Sequence, residues 1–179
     1  EEERYLVEGM TLVINAFYGF DFNSCELLRR EGVWHPIDFA NPCPDSQVTS
    51  LHYHFPWLIK ANLRWAIWAA TTKRYMKTVE WQPYFDAVEE GMSLRERIDA
   101  LLPLAHDRFD TERFREFCRS HLAHLDEVAW EWFGTDEARD AVRRKVAALF
   151  PPHEVDEFTD LFYTRIQRWR EHEEEWVAA

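Results

Sequence analysis

Between residues 5 and 18 the apolar positions Leu6, Met10, Val13 and Phe17 recur at spacings of three and four, which predicts a helix with one buried face. Gly19 ends that pattern. Residues 21–30 and 33–39 then have strand character on either side of Glu31-Gly32, a tight-turn pair, so an antiparallel hairpin is predicted. Pro36 cannot donate to a ladder, and the second strand should be irregular or edge-facing there. Residues 41–46, Asn-Pro-Cys-Pro-Asp-Ser, form a loop by composition.

From Pro56 onward the pattern is helical, since proline is tolerated in a first helical turn. The stretch from Trp57 to about Met76 is apolar nearly all round, with Lys60 and Arg64 sharing one face, and this predicts a central helix. Ser93-Leu94-Arg95-Glu96 is a capping box opening a helix to about Leu104. Asp110 is read as the cap of a helix through Phe114, Phe117, Leu122 and Leu125, and Thr135 as the cap of one to Leu149. Pro151-Pro152 stops it, and Phe158, Leu161, Phe162, Ile166 and Trp169 mark a final long helix. About five helices are expected as one bundle, with Trp65, Phe117, Leu161 and Phe162 in its core. No fixed period repeats, which argues against a repeat array. The fold class is therefore mainly α with a small antiparallel β-hairpin. Two domains are expected, residues 1–55 and residues 56–179.

Composition narrows the picture. Nine tryptophans and thirteen phenylalanines imply largely aromatic packing. A formal charge of −12 and a pI of about 5.1 repel phosphate backbones and anionic membranes, arguing against nucleic-acid and membrane partners. Cys25, Cys43 and Cys118 are odd in number and lack CxxC spacing, which fits neither a disulfide framework nor a thiolate zinc site and suggests a reducing cytoplasm. The apolar run 57–70 is interrupted by Lys60, Asn62 and Arg64 and does not reach membrane-spanning length. The chain begins Glu1-Glu2-Glu3-Arg4 and reads as a piece of something longer.

Chemistry concentrates in residues 23–42. With a three-residue loop of Glu31, Gly32 and Val33, Glu26 falls opposite Asp38, and directly opposed residues share a face. Like charges so placed repel unless a cation sits between them. Two carboxylates and an amide oxygen are hard ligands suited to Mg²⁺ bridging phosphates. The same pair also reads as an exposed hairpin face neutralised by Arg29, Arg30 or water.

This helix and hairpin, with Glu26, Gly32 and Asp38-Phe39-Ala40-Asn41-Pro42, resemble the closing hairpin of the ATP-grasp superfamily over roughly residues 5–46. There, an acid on one strand and a Glu-x-Asn motif on the next hold two magnesium ions. Glu26 matches the first-strand acid, Gly32 the turn glycine, Asp38 the motif acid and Asn41 its amide partner. Asp38 is one methylene shorter than the usual glutamate. Asn41 follows it by three residues rather than two, so a bulge or turn must bring it to the same ion. Asp21 could replace Glu26 in another register.

The resemblance implies the C-terminal end of an ATP-grasp (α+β) domain, carboxylate–amine ligase-like, followed by the helical bundle. It implies Mg²⁺ and ATP as cofactors, a small-molecule carboxylate substrate, and an acyl phosphate formed in the intact protein. The family's ATP-gripping lysines and lid lie upstream of this hairpin, so the chain alone is expected to be inactive and to bind ATP weakly or not at all. The rival reading is a non-catalytic helical interaction module with a degenerate hairpin, and the aromatic richness of the helical region allows a homo-oligomer.

Other features point to packing. His52 and His54 would form a metal pair on a strand, but no third ligand is evident. His121 and His124 are three apart and read as an exposed helix face. Trp130, Trp132 and Phe133, like Phe158, Phe162 and Trp169, suit a core or subunit contact, and residues 171–175 read as a solvated acidic tail.

Overall fold

The computed structural model describes residues 1–42, 44–75 and 77–178, with side chains to residue 173. Cys43, Met76 and the side chains of Glu174 and Glu175 lie outside the described residues. Helix α1 (Glu2–Tyr18) precedes the hairpin strands β1 (Ser24–Arg30) and β2 (Val33–Asn41). Then follow α2 (Val48–Leu51), a 3₁₀ turn (His52–His54), α3 (Phe55–Thr72), α4 (Gln82–Asp86) and α5 (Leu94–Phe109). The chain continues through α6 (Thr111–His121), α7 (Leu125–Trp132), α8 (Asp136–Ala147), a second 3₁₀ turn (Pro152–Glu154) and α9 (Val155–Ala178). The protein is mainly helical with one two-stranded antiparallel sheet. No helix among the described residues is long and apolar enough to cross a membrane.

The chain forms two compact units, Glu1–Pro44 with Arg74–Glu116, and Asp45–Lys73 with Phe117–Ala179. The expected boundary at 55/56 falls inside the second unit, and residues 74–116 join the hairpin unit instead of a single C-terminal bundle.

In the first unit α1 buries Gly9, Met10, Val13 and Ala16 against α5. The approach is close at Gly9, where a Cβ would lie 2.5 Å from Ile98 Cγ2. Gly19 ends α1 in the left-handed region with φ 76°, as its position in the pattern suggested. Phe17 packs edge-on to Tyr84 and Phe85, at centroid distances of 5.5 and 5.8 Å. The Ser93 capping box forms with both of its hydrogen bonds. Asp110 has a different role from the one expected. It terminates α5 at φ 48° and spends its carboxylate on Arg74 (2.9 Å) and Lys77 (3.2 Å), so its side chain does not cap α6.

In the second unit α8 and α9 enclose a core of Val142, Val146, Phe162, Ile166 and Trp169, joined by Val48 and Phe133. Thr135 caps α8 by accepting from the Ala138 N–H at 3.2 Å. Phe162 is buried as expected, but Leu161 is 40 % exposed, because α9 turns Phe158, Phe162, Ile166 and Trp169 inward at i, i+4, i+8 and i+11. Trp65 and Phe117 are half-buried.

The buried face of helix α3 carries Lys60 between the fully buried Pro56 and Trp68. Lys60 is 4 % exposed, while Trp57, Leu63 and Ile67 stand 60 %, 42 % and 36 % in solvent. The Lys60 ammonium lies 3.0 Å from both Asp126 and Glu173 and 5.0 Å from the centre of the Trp169 ring. Arg64, on the same face, reaches Asp126 at 2.6 Å. The charged face is inward because carboxylates and an aromatic ring meet it there. The helix stops at Thr72, with Lys73 in the left-handed region, short of the end expected near Met76.

Candidate functional site

The hairpin turn is two residues long. Glu31 (φ 53°) and Gly32 (φ 82°) both occupy the left-handed region, a conformation suited to the right-handed twist of the flanking strands. A two-residue turn pairs Arg30 with Val33, and the ladder runs regularly through Arg29–Trp34, Leu28–His35 and Leu27–Pro36. Continued without interruption, it would set Asp38 opposite Cys25. Instead the register shifts between Leu27 and Glu26, with Ile37 as the extra residue, and Glu26 pairs with Asp38. The expected opposition is present, reached by a tight turn and a bulge instead of a three-residue loop. The irregularity anticipated at Pro36 follows one residue later.

A second shift between Glu26 and Ser24 pairs Ser24 with Asn41. Ser24 and Glu26 are two apart on β1 and so share a face, and their partners Asn41 and Asp38 lie on that face with them. This second bulge absorbs the extra residue between Asp38 and Asn41. Asp21 lies in a bend before β1 and takes no part in the ladder.

The opposite face of the hairpin turns to α1. Arg29 forms a 2.5 Å ion pair with Glu3 and lies 6.0 Å over the Trp34 ring. Asn23 ties the start of the hairpin to both elements, donating to Asn15 Oδ1 at 2.7 Å and to the Phe39 carbonyl at 2.9 Å. Cys25, beside it, is half-buried, and burial raises its thiol pKa, which suits a packed thiol and not a reactive one.

The Glu26–Asp38 face is open. Both acids are exposed, as are Leu28, Val33 and Ile37 elsewhere on the hairpin. The arginines that could have neutralised the acids are turned elsewhere, Arg29 to Glu3 and Arg30 to Glu31 at 3.8 Å. Among the described residues neither carboxylate has an ion-pair or hydrogen-bond partner. No three His, Cys, Asp or Glu side chains among the described residues converge as a metal cluster. The hairpin thus opposes two exposed acids, Glu26 and Asp38, and pairs Asn41 with Ser24.

The histidine pairs do not form ligand sites. His52 and His54 sit in a 3₁₀ turn and not a strand, so their rings do not share a face. His52 Nδ1 contacts the Arg165 guanidinium at 2.8 Å, and its ring stacks on Phe162. His121 ends α6 and His124 precedes α7, which separates them by a helix break. Phe133, Phe162 and Trp169 are core residues, and Trp130 donates its indole N–H to the Arg170 carbonyl. Trp132, 45 % exposed, borders a cleft in the second unit that the sequence pattern did not reveal. No protein-family model, curated protein or solved structure matches the chain.

Proposed function

We propose that this chain is the C-terminal part of an ATP-dependent, magnesium-requiring ligase of the ATP-grasp type, acting on a small carboxylate substrate. One observation carries the reading: with two successive bulges in β2, Glu26 pairs with Asp38 and Ser24 with Asn41, both carboxylates being exposed. Two irregularities in nine residues cost ladder hydrogen bonds, and the first of them is what sets Glu26 opposite Asp38. Opposed carboxylates destabilise a strand pair by roughly 0.2–1 kcal/mol, a cost that a shared cation would offset.

The donor set fits Mg²⁺, which takes few protein ligands, prefers oxygen and keeps several waters. Glu26 and Asp38 would hold the ion, and the Asn41 amide oxygen would complete the set. Bound there with ATP, the metal supplies charge neutralisation at the transferring phosphoryl group. The side chains would fix the ion's position. Formation of an acyl phosphate by the parent enzyme is part of the same proposal.

The test is Asp38→Asn in the intact protein. It should remove most Mg·ATP-dependent turnover and leave the thermal midpoint nearly unchanged, because Asp38 is exposed and supports no core contact. Full turnover in that variant would rule out the metal role.

A second reading, a helical interaction module, rests on the exposed Trp57, Leu63 and Ile67 of α3. Concentration-dependent sedimentation that Leu63→Glu abolishes would favour it.

A further inference from the structure

A cleft of about 310 Å³ opens in the second unit. Phe55, Phe133, Ala138 and Val142 form its apolar wall, with Trp132 at the rim. Ala138, Ala141, Val142 and Lys145 follow one another at i, i+3, i+4 and i+7 along α8, so the small residues open the cleft and Lys145 stands at its end.

One polar group in this lining is unsatisfied. Gln47 Oε1 is shut off from solvent and has no hydrogen-bond partner. Asp45, two residues before it, accepts from the Gln47 backbone N–H at 3.0 Å. That carboxylate is held below the usual range chiefly by the Ser50 hydroxyl, with help from the backbone and side-chain N–H groups of Gln47. A buried acceptor without a donor is costly, and native proteins rarely keep one. Lys145 is the cation of the lining. It is half-buried, feels Asp45 only through space, and makes no salt bridge among the described residues.

The larger cleft of the first unit, about 470 Å³, lacks this character. Its cations are already bonded, Lys77 to Asp110 and the Asp107 carbonyl, and Arg108 to the Lys77 carbonyl.

We infer that the cleft between α8 and the residues around Gln47 is a binding site for a small ring-containing carboxylate that also bears one N–H or O–H donor. The ring fills the aromatic and alanine-lined cavity, the donor satisfies Gln47 Oε1, and the carboxylate pairs with Lys145. The inference is independent of the metal reading of the hairpin.

Indole-3-propionate carries all three groups and serves as the probe, titrated into the full chain while the Gln47 side-chain amide and Trp132 indole signals are followed by NMR. Both signals should shift saturably. Methylating the indole nitrogen should weaken binding about three- to tenfold, and replacing the carboxylate with an alcohol about tenfold or more. Lys145→Met should reproduce the alcohol's loss at an unchanged thermal midpoint. If that variant does not fold, the ligand series on the unmodified chain decides alone. Absence of saturable shifts, or equal affinity for all three ligands, would overturn the assignment.

Discussion

Arg165 donates a 2.8 Å hydrogen bond to His52 Nδ1. A guanidinium has no acceptor, so the imidazole must be neutral at that nitrogen and carry its proton on Nε2. Burial first, and then the Arg165 charge, lower the His52 pKa below the ordinary imidazole value, while the ring stacks on Phe162 at 4.8 Å. The unfolded chain, with histidine near its usual ~6.5, takes up a proton in mildly acidic solution that the folded chain refuses. Stability from this group is thus complete above that value and is lost as the pH falls toward the lowered folded pKa. The thermal midpoint should drop between pH 7.5 and 5.5. His52→Gln should flatten that slope, and an unchanged slope would exclude His52 as its source.

Lys60 is the buried cation of the second unit, and its partners are unequal to it in burial. Asp126 and Glu173 are 50 % and 37 % exposed, so either can return to water if the lysine is removed. Burial tends to raise the Asp126 pKa, but hydrogen bonds and charge from Lys60 and Arg64 outweigh it and leave the net shift downward. Lys60→Met should therefore cost little, about 1 kcal/mol or less, since the stem already packs by Trp169. Asp126→Asn with Glu173→Gln should cost more, approaching the ~3–5 kcal/mol of a stranded buried charge. Urea denaturation of the two variants gives the order, and the reverse order would contradict this account.

The turn at Glu31-Gly32 offers a local test. A Cβ on Gly32 meets nothing within 4 Å, so Gly32→Ala tests backbone strain alone at φ 82°. A cost of about 1–2 kcal/mol is expected, read as lost hydrogen-exchange protection in the hairpin. Glu31→Asn, which accepts φ 53° more readily, should raise protection. Equal protection in all three chains would mean that the turn does not set the register.

Much of the fold was legible where a local cause decides it. Gly19, Ser93, Thr135 and the Glu31-Gly32 turn act through backbone geometry or a single hydrogen bond, and each does as its sequence context predicts. Long-range causes were not legible. Asp110 reads as a cap until Arg74 and Lys77, more than thirty residues away, take its carboxylate. Helix α3 reads as a central, nearly all-apolar helix, and nothing near Lys60 in the chain reveals that Asp126 and Glu173 will meet it. The Glu26–Asp38 opposition was reached from a different turn length, since a bulge at Ile37 leaves no sequence signature of its own. The cleft at Gln47 depends on α8 alanines that signal only a small-residue helix face.

The most direct test of the central claim is Mn²⁺ titration of the chain followed by amide NMR, the paramagnetic ion standing in for Mg²⁺. Broadening should appear first at Glu26, Asp38 and Asn41, spare His52, His54, His121 and His124, and disappear in Glu26→Gln/Asp38→Asn. Broadening that starts at the histidines or the acidic C-terminal helix, or that persists unchanged in the double variant, would contradict a metal site on the hairpin.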